Sequence, residues 1–140
     1  APGDDVDLEL PYGHWLVTPD RSTTDAEAPH RRIFIATGTG IAPFLAAFEA
    51  DKRDDDILIV GYSRTEDDLT GRADTPLPPL IRCVSREAVP GTFYGRITDY
   101  LNAEGIDPQA TYYVCGSARI VRDISRIIQA GGARVSFETF

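Results

Sequence analysis

Methionine is absent from this 140-residue chain, lysine and tryptophan occur once each, and cysteine occurs twice. Each shortage removes a class of explanation. Cys83 and Cys115 lie far apart inside apolar runs, so the sequence offers neither a disulfide framework nor the close ligand pairs of a zinc site. His14 and His30 have no Cys, His or acid at ligand spacing, and no metal is expected. The formal net charge of −8 argues against a nucleic-acid partner held on a basic face. No stretch approaches the ~18 apolar residues of a membrane-spanning helix, and no signal peptide is visible. With unpaired cysteines, that points to a cytoplasmic setting. The missing initiator suggests a piece of a longer protein. The acidic residues Asp25, Asp51 and Asp54-Asp55-Asp56 read as solvated loop charges.

What is present concentrates in Ile33-Phe34-Ile35-Ala36-Thr37-Gly38-Thr39-Gly40-Ile41-Ala42-Pro43-Phe44. A short apolar run suits a buried strand, a glycine-threonine turn follows, and Pro43 opens an apolar helical stretch. Glycine tolerates positive φ and lets a ligand approach the backbone closely. Proline early in a helix costs nothing, because the N–H it lacks has no intrahelical partner. The amides and dipole of such a helix start suit a phosphate. The same turn could equally serve chain geometry alone, since short glycine motifs are weak by themselves.

The remainder alternates apolar runs with helical patterns. Strands are expected at 33–36, 57–60, 80–84, 112–115 and 135–137. Helices are expected at 41–50, near 97–103, and at 118–130, where Ile120, Val121, Ile124, Ile127 and Ile128 share a face. The polar, Pro-rich stretch 66–79 carries about one helical turn, and 85–96 is a loop through Pro90-Gly91. This alternation implies right-handed crossovers and an α/β fold with a doubly wound, five-stranded parallel sheet, Rossmann-like, in order 3-2-1-4-5. Residues 1–30 do not fit the pattern. They read as the tail of a preceding β domain around Pro11-Tyr12-Gly13 plus a linker, leaving 31–140 as the α/β domain.

Ligands of such sheets bind outside the carboxyl ends of the strands, near the point where strand order reverses. An NAD site commonly has a carboxylate at the end of the second strand. Here that end carries Ser63-Arg64, with no acid until Glu66. The third strand ends at Ser85-Arg86, and Gly95-Arg96 opens the next helix. Guanidiniums grip phosphate oxygens bidentately, so a cluster of arginines with a hydroxyl suits the 2′-phosphate of NADP. Each arginine taken alone has a plainer explanation as a solvated surface residue.

These residues resemble, in order and over nearly the whole chain, the pyridine-nucleotide-binding domain of the ferredoxin–NADP reductase superfamily of flavin oxidoreductases. The carriers are Gly38-Thr39-Gly40-Ile41-Ala42-Pro43, Val84-Ser85-Arg86-Glu87, Gly95-Arg96-Ile97-Thr98, Val114-Cys115-Gly116-Ser117 and Phe137-Glu138-Thr139-Phe140. The resemblance implies that Thr37, Gly38, Thr39, Gly40, Ile41, Ala42 and Pro43 hold the dinucleotide pyrophosphate. It implies that Ser85, Arg86 and Arg96, with the more variable Arg64, grip the 2′-phosphate. Cys115, Gly116 and Ser117 would lie against the nicotinamide, with the thiol a polarizable contact and no nucleophile. Glu138 would stand near hydride transfer and Phe140 would cover the flavin. Residues 1–30 would be the tail of the family's FAD-binding barrel plus a linker, with Tyr12 and Gly13 approaching the FAD pyrophosphate, and 31–140 would be the NAD(P)-binding domain.

Plainer alternatives stay open at this level. Cys115 also fits simple core filling, and Glu138 and Phe140 fit a frayed terminus. The family's flavin-ring motif on the barrel is missing, so the chain is not expected to hold FAD stably by itself. The expected function is passage of hydride between NADP(H) and FAD, with electrons going on to a redox acceptor such as ferredoxin. The alternatives are an NAD(H)-linked reductase component of an oxygenase or hydrogenase system, and a nucleotide-binding module without catalysis.

Overall fold

A computed structural model describes residues 31–140. The expected barrel tail and linker, with Tyr12 and Gly13, lie outside the described residues. The chain runs β1 (Arg32–Thr37), α1 (Ala42–Ala50), β2 (Ile57–Tyr62), β3 (Leu80–Val84), β4 (Phe93–Tyr94), α2 (Ile97–Glu104), β5 (Thr111–Gly116), α3 (Ala118–Ala130) and β6 (Arg134–Thr139). The strands form one sheet in order β4-β3-β2-β1-β5-β6, parallel throughout. The five expected strands take their expected order, but the sheet has six. The extra strand is the two-residue edge Phe93–Tyr94, in a segment expected as loop. Too short to carry a periodic pattern, it is fixed by pairing Cys83 with Phe93 and Val84 with Tyr94, and by an edge-to-face contact of Phe93 on Tyr100 with ring centroids 5.3 Å apart.

Alternation along β1 sends Ile33 and Ile35 to one face of the sheet and Phe34 and Ala36 to the other. The first face meets α2 and α3 through Ile97, Leu101, Val121, Ile124 and Ile128. The second meets α1, where Phe34 touches Phe44 and Phe48 edge-on and stacks on Tyr113. Burial on both faces explains why the central strands are continuously apolar.

The stretch between β2 and β3 holds two short 3-10 turns, Thr65–Asp67 and Thr70–Arg72, where about one turn was expected. Leu69 and Leu77 press it onto the α1 face. Asp68 organises it, accepting from Thr70 N at 2.9 Å, Thr70 Oγ1 at 2.6 Å, Arg82 Nε at 3.1 Å and the Tyr62 hydroxyl at 3.3 Å. Burial works against its charge, but the bonds from Thr70 and Arg82 outweigh burial and hold the carboxyl below the ordinary range.

One expectation about charge fails outright. Asp56, the last of the acidic run, is fully buried. Its carboxylate takes Arg32 Nε at 2.9 Å and Nη2 at 2.7 Å, and it also accepts from Arg53 N at 2.9 Å. Arg32 further donates to Asp51 O and lies over the Phe34 ring. A buried arginine at the amino end of β1 requires such a partner, and the turn into β2 supplies it.

Candidate functional site at the carboxyl ends of the strands

Strand order reverses between β1 and β5, and the glycine turn sits on that seam. β1 ends at Thr37, a 3-10 turn covers Gly38–Ile41, and α1 starts at Ala42 with Pro43 in its first turn. Gly38 has a φ of +54° with open space around its Cα, so it turns the chain where a ligand can reach it. Gly40 is needed for a different reason. A methyl there would run into the backbone carbonyl of Cys115. Across the seam, a methyl at Gly116 would meet Thr37 Oγ1. Two glycines therefore clamp the turn onto the end of β5. Ile41 and Gly40 are buried, while Gly38, Thr39 and Ala42 are exposed along the α1 start. This combination of exposed backbone, glycine and helix start fits the phosphates of a dinucleotide.

On the other side of β1, the ladder continues past the strand ends. Ser85 N donates to Tyr62 O at 3.1 Å, Arg86 N to Ser63 O at 2.9 Å, and Gly95 N to Val84 O at 2.9 Å. Ser63-Arg64, Ser85-Arg86 and Gly95-Arg96 therefore leave β2, β3 and β4 side by side. All three arginines are exposed, and none forms an ion pair among the described residues. Backbone bonds fix their starts: Arg64 N donates to Asp67 Oδ2 at 3.4 Å and Arg96 N to Asp99 Oδ2 at 2.9 Å. Gly95, at φ +147°, makes the turn into α2 that a side chain would resist.

The far side of the seam carries the tail. β5 and β6 pair Cys115 with Glu138 and Gly116 with Thr139, and Phe140 N donates to Gly116 O at 3.3 Å. Burial, with the Glu138 charge adding, pushes the Cys115 thiol up to about 11. It is therefore protonated at neutral pH, a neutral polarizable group. Burial also raises the Glu138 carboxyl above the ordinary range. Phe140 is exposed, while Ser117 caps the start of α3 without a side-chain bond.

Thus the fold brings Thr37 through Pro43 together with Cys115, Gly116, Glu138 and Phe140 at the seam, and groups Arg64, Ser85, Arg86 and Arg96 one to three strands away. Sequence reading missed the acids threaded between those arginines. Asp67 and Asp99 stand three residues after Arg64 and Arg96, a spacing typical of first-turn acids that accept the cap residue's N–H. Glu87 crosses from β3 to the β2 exit and accepts Thr65 N at 2.8 Å; nothing in its local sequence announces that reach. A hollow of about 290 Å³, lined mainly by Ile33, Ile57, Ile59, Ile81, Tyr100 and Tyr112, lies at the opposite, amino end. Its floor is apolar packing, and Arg31, Glu104 and Asp107 also line it. Among the described residues there is no group of three potential metal ligands and no helix long and apolar enough to cross a membrane.

Solved structures share this fold. One is the flavohem-like FAD/NAD-binding domain of nitric oxide dioxygenase from Vibrio cholerae O1 biovar El Tor, at 16% identity and a TM-score of 0.67. A second is the Amycolatopsis cytochrome P450 reductase GcoB, at 20% identity and 0.66. A third is the ferredoxin reductase in carbazole 1,9a-dioxygenase, at 16% and 0.54. Each match covers 83% of this chain. The chain shares the fold of these proteins. The fold expected from the resemblance is thus matched in three dimensions. The chain spans 53%, 39% and 34% of those proteins' lengths. No family model matches the sequence, and no curated protein is significantly similar to it.

Proposed function

We propose that this chain is the pyridine-nucleotide-binding part of a flavin-dependent reductase and that its nucleotide is NADP(H). The observation that carries the reading is the row of three exposed arginines, without ion pairs among the described residues, on adjacent strand exits beside a glycine turn clamped at the switch point. The likeness to an FAD/NAD-binding domain and to two reductases supports a nicotinamide nucleotide working with a flavin.

In this reading the segment Thr37 to Pro43 cradles the pyrophosphate, with backbone N–H groups of the turn donating and Pro43, which has none, fixing the start of α1. Ser85, Arg86, Arg96 and Arg64 hold the 2′-phosphate. Cys115, Gly116 and Ser117 form the wall against which the nicotinamide lies, and the protonated thiol adds no charge to it. Glu138 offers a carboxyl with a raised proton affinity beside that wall, and Phe140 would cover the flavin side of the site. The bound cofactors would supply hydride transfer between nicotinamide and flavin, while the chain contributes orientation and electrostatics. Flavin contacts are assigned to Tyr12 and Gly13 and to a barrel domain, with electrons passed to an acceptor such as ferredoxin. The acids threaded among the arginines favour a second reading, an NAD(H)-linked reductase component of an oxygenase or hydrogenase system.

Titration of NADP and NAD onto the chain by calorimetry separates the two. We expect tighter binding of NADP, and a loss of about ten- to a hundredfold in NADP affinity for Arg86→Ala, the range of one or two hydrogen bonds between charged groups. Equal affinities that Arg86→Ala leaves untouched would sink the 2′-phosphate assignment.

A further inference from the structure

We propose that Glu87 sets how strongly this site distinguishes a 2′-phosphorylated from an unphosphorylated adenosine ribose. The inference rests on the nucleotide-site reading above. Glu87 follows Ser85-Arg86 directly, on the turn that leaves β3, yet its side chain is tied to the neighbouring exit. Its Oε1 accepts the Thr65 amide, the residue after Arg64. It is exposed and forms no ion pair among the described residues, so the tie to Thr65 places its charge. The bond from Thr65 holds the carboxyl below the ordinary range, with Arg64 adding a smaller pull.

The consequence is a fixed negative charge among arginines assigned to a dianion. A phosphate arriving there gains the guanidiniums and meets Glu87 as a like charge. A ribose bearing only hydroxyls meets no such repulsion. Glu87 therefore narrows the preference that the arginines create, and it does so through charge. Its hydrogen bond also fastens the β2 exit to the β3 exit, so a test must separate charge from clasp.

Glu87→Gln does so, because the amide keeps an acceptor oxygen for Thr65 and loses the charge. The readout is the ratio of the NAD to the NADP dissociation constant, measured on the 140-residue chain for wild type, Glu87→Gln, Glu87→Ala and Arg86→Ala at low and high salt. The expected result is a ratio about two- to fivefold higher in Glu87→Gln, the range of one exposed charge interaction. The gap should shrink at high salt through screening. A ratio unchanged or lowered in Glu87→Gln would overturn the assignment. So would Glu87→Ala losing NADP affinity while Glu87→Gln keeps the wild-type ratio, which would leave Glu87 a loop clasp. If Arg86→Ala leaves the ratio where it was, the nucleotide reading itself fails. If Arg86→Ala moves it and Glu87→Gln does not, only the present inference fails.

Discussion

The two ends of the sheet treat the same side chain in opposite ways. At the amino end, Arg32 is 4% exposed and shares two hydrogen bonds with a carboxylate that is completely buried. At the carboxyl end, Arg64, Arg86 and Arg96 stand exposed and make no ion pair among the described residues. A guanidinium taken out of water must be paired, because an isolated buried charge is very costly. One left at a strand exit can stay solvated until an anion arrives. The difference separates two roles for one side chain: the satisfied arginine anchors the fold, and the solvated ones leave their donors open to an anion.

The sharpest way to break that contrast is to strip Arg32 of its partner. Asp56→Ala should cost ~3–5 kcal/mol of unfolding free energy, the usual penalty for orphaning one member of a buried pair. Urea unfolding would measure it, and a loss below about 1 kcal/mol would show that Arg32 finds water or another partner. Next in size is the turn. Gly40→Ala drives a methyl into the Cys115 carbonyl, and backbone on both sides of the seam cannot easily give way. A cost of ~1–3 kcal/mol is expected, with nucleotide affinity falling in the folded protein because the cradle shifts. Unchanged affinity in a variant shown to be folded would detach the turn from the proposed nucleotide site.

The contrast also explains what the sequence alone could reveal. The seam was legible, because Thr37-Gly38-Thr39-Gly40 and Cys115-Gly116 are local patterns whose partners sit at strand ends that the apolar runs mark. The arginine row was legible for the same reason, since parallel strands place their exits together. Asp56 was not. In sequence it is the third of three aspartates at a turn, and only the approach of β1 reveals that its neighbour is a buried arginine 24 residues away. β4 was hidden because two residues carry no periodicity, and Glu87 because its bond spans 22 residues between two loops.

A pH-dependent effect follows from the two buried thiols, one towards each side of the sheet. Burial pushes Cys83 up to about 12 and Cys115 up to about 11, from ordinary values of 9.0. The unfolded chain therefore releases these protons at lower pH than the native one. Below pH 9 both states hold them and stability is indifferent. Above it the unfolded state binds fewer protons, so stability should fall as pH rises from about 9 towards 11 to 12. Denaturation midpoints measured across that window, with Cys83→Ala and Cys115→Ala alongside, would check it. A slope that both variants leave intact would assign the alkaline loss to other groups.

The smallest expected effect tests the other half of the contrast. Arg86→Ala and Arg96→Ala should each change unfolding free energy by less than about 0.5 kcal/mol, as surface substitutions away from packing do. Neither guanidinium contributes an ion pair among the described residues. Arg96 fixes the start of α2 through its backbone N–H to Asp99, and alanine retains that N–H. Small stabilisation is as informative as no change, because crowding cations at one edge repel one another until an anion separates them. Added NADP should then stabilise wild type more than either variant, since a ligand that binds only the native state raises stability with its affinity. If the variants lost several kcal/mol without nucleotide, these arginines would be structural after all. The two ends of the sheet would then differ only in degree.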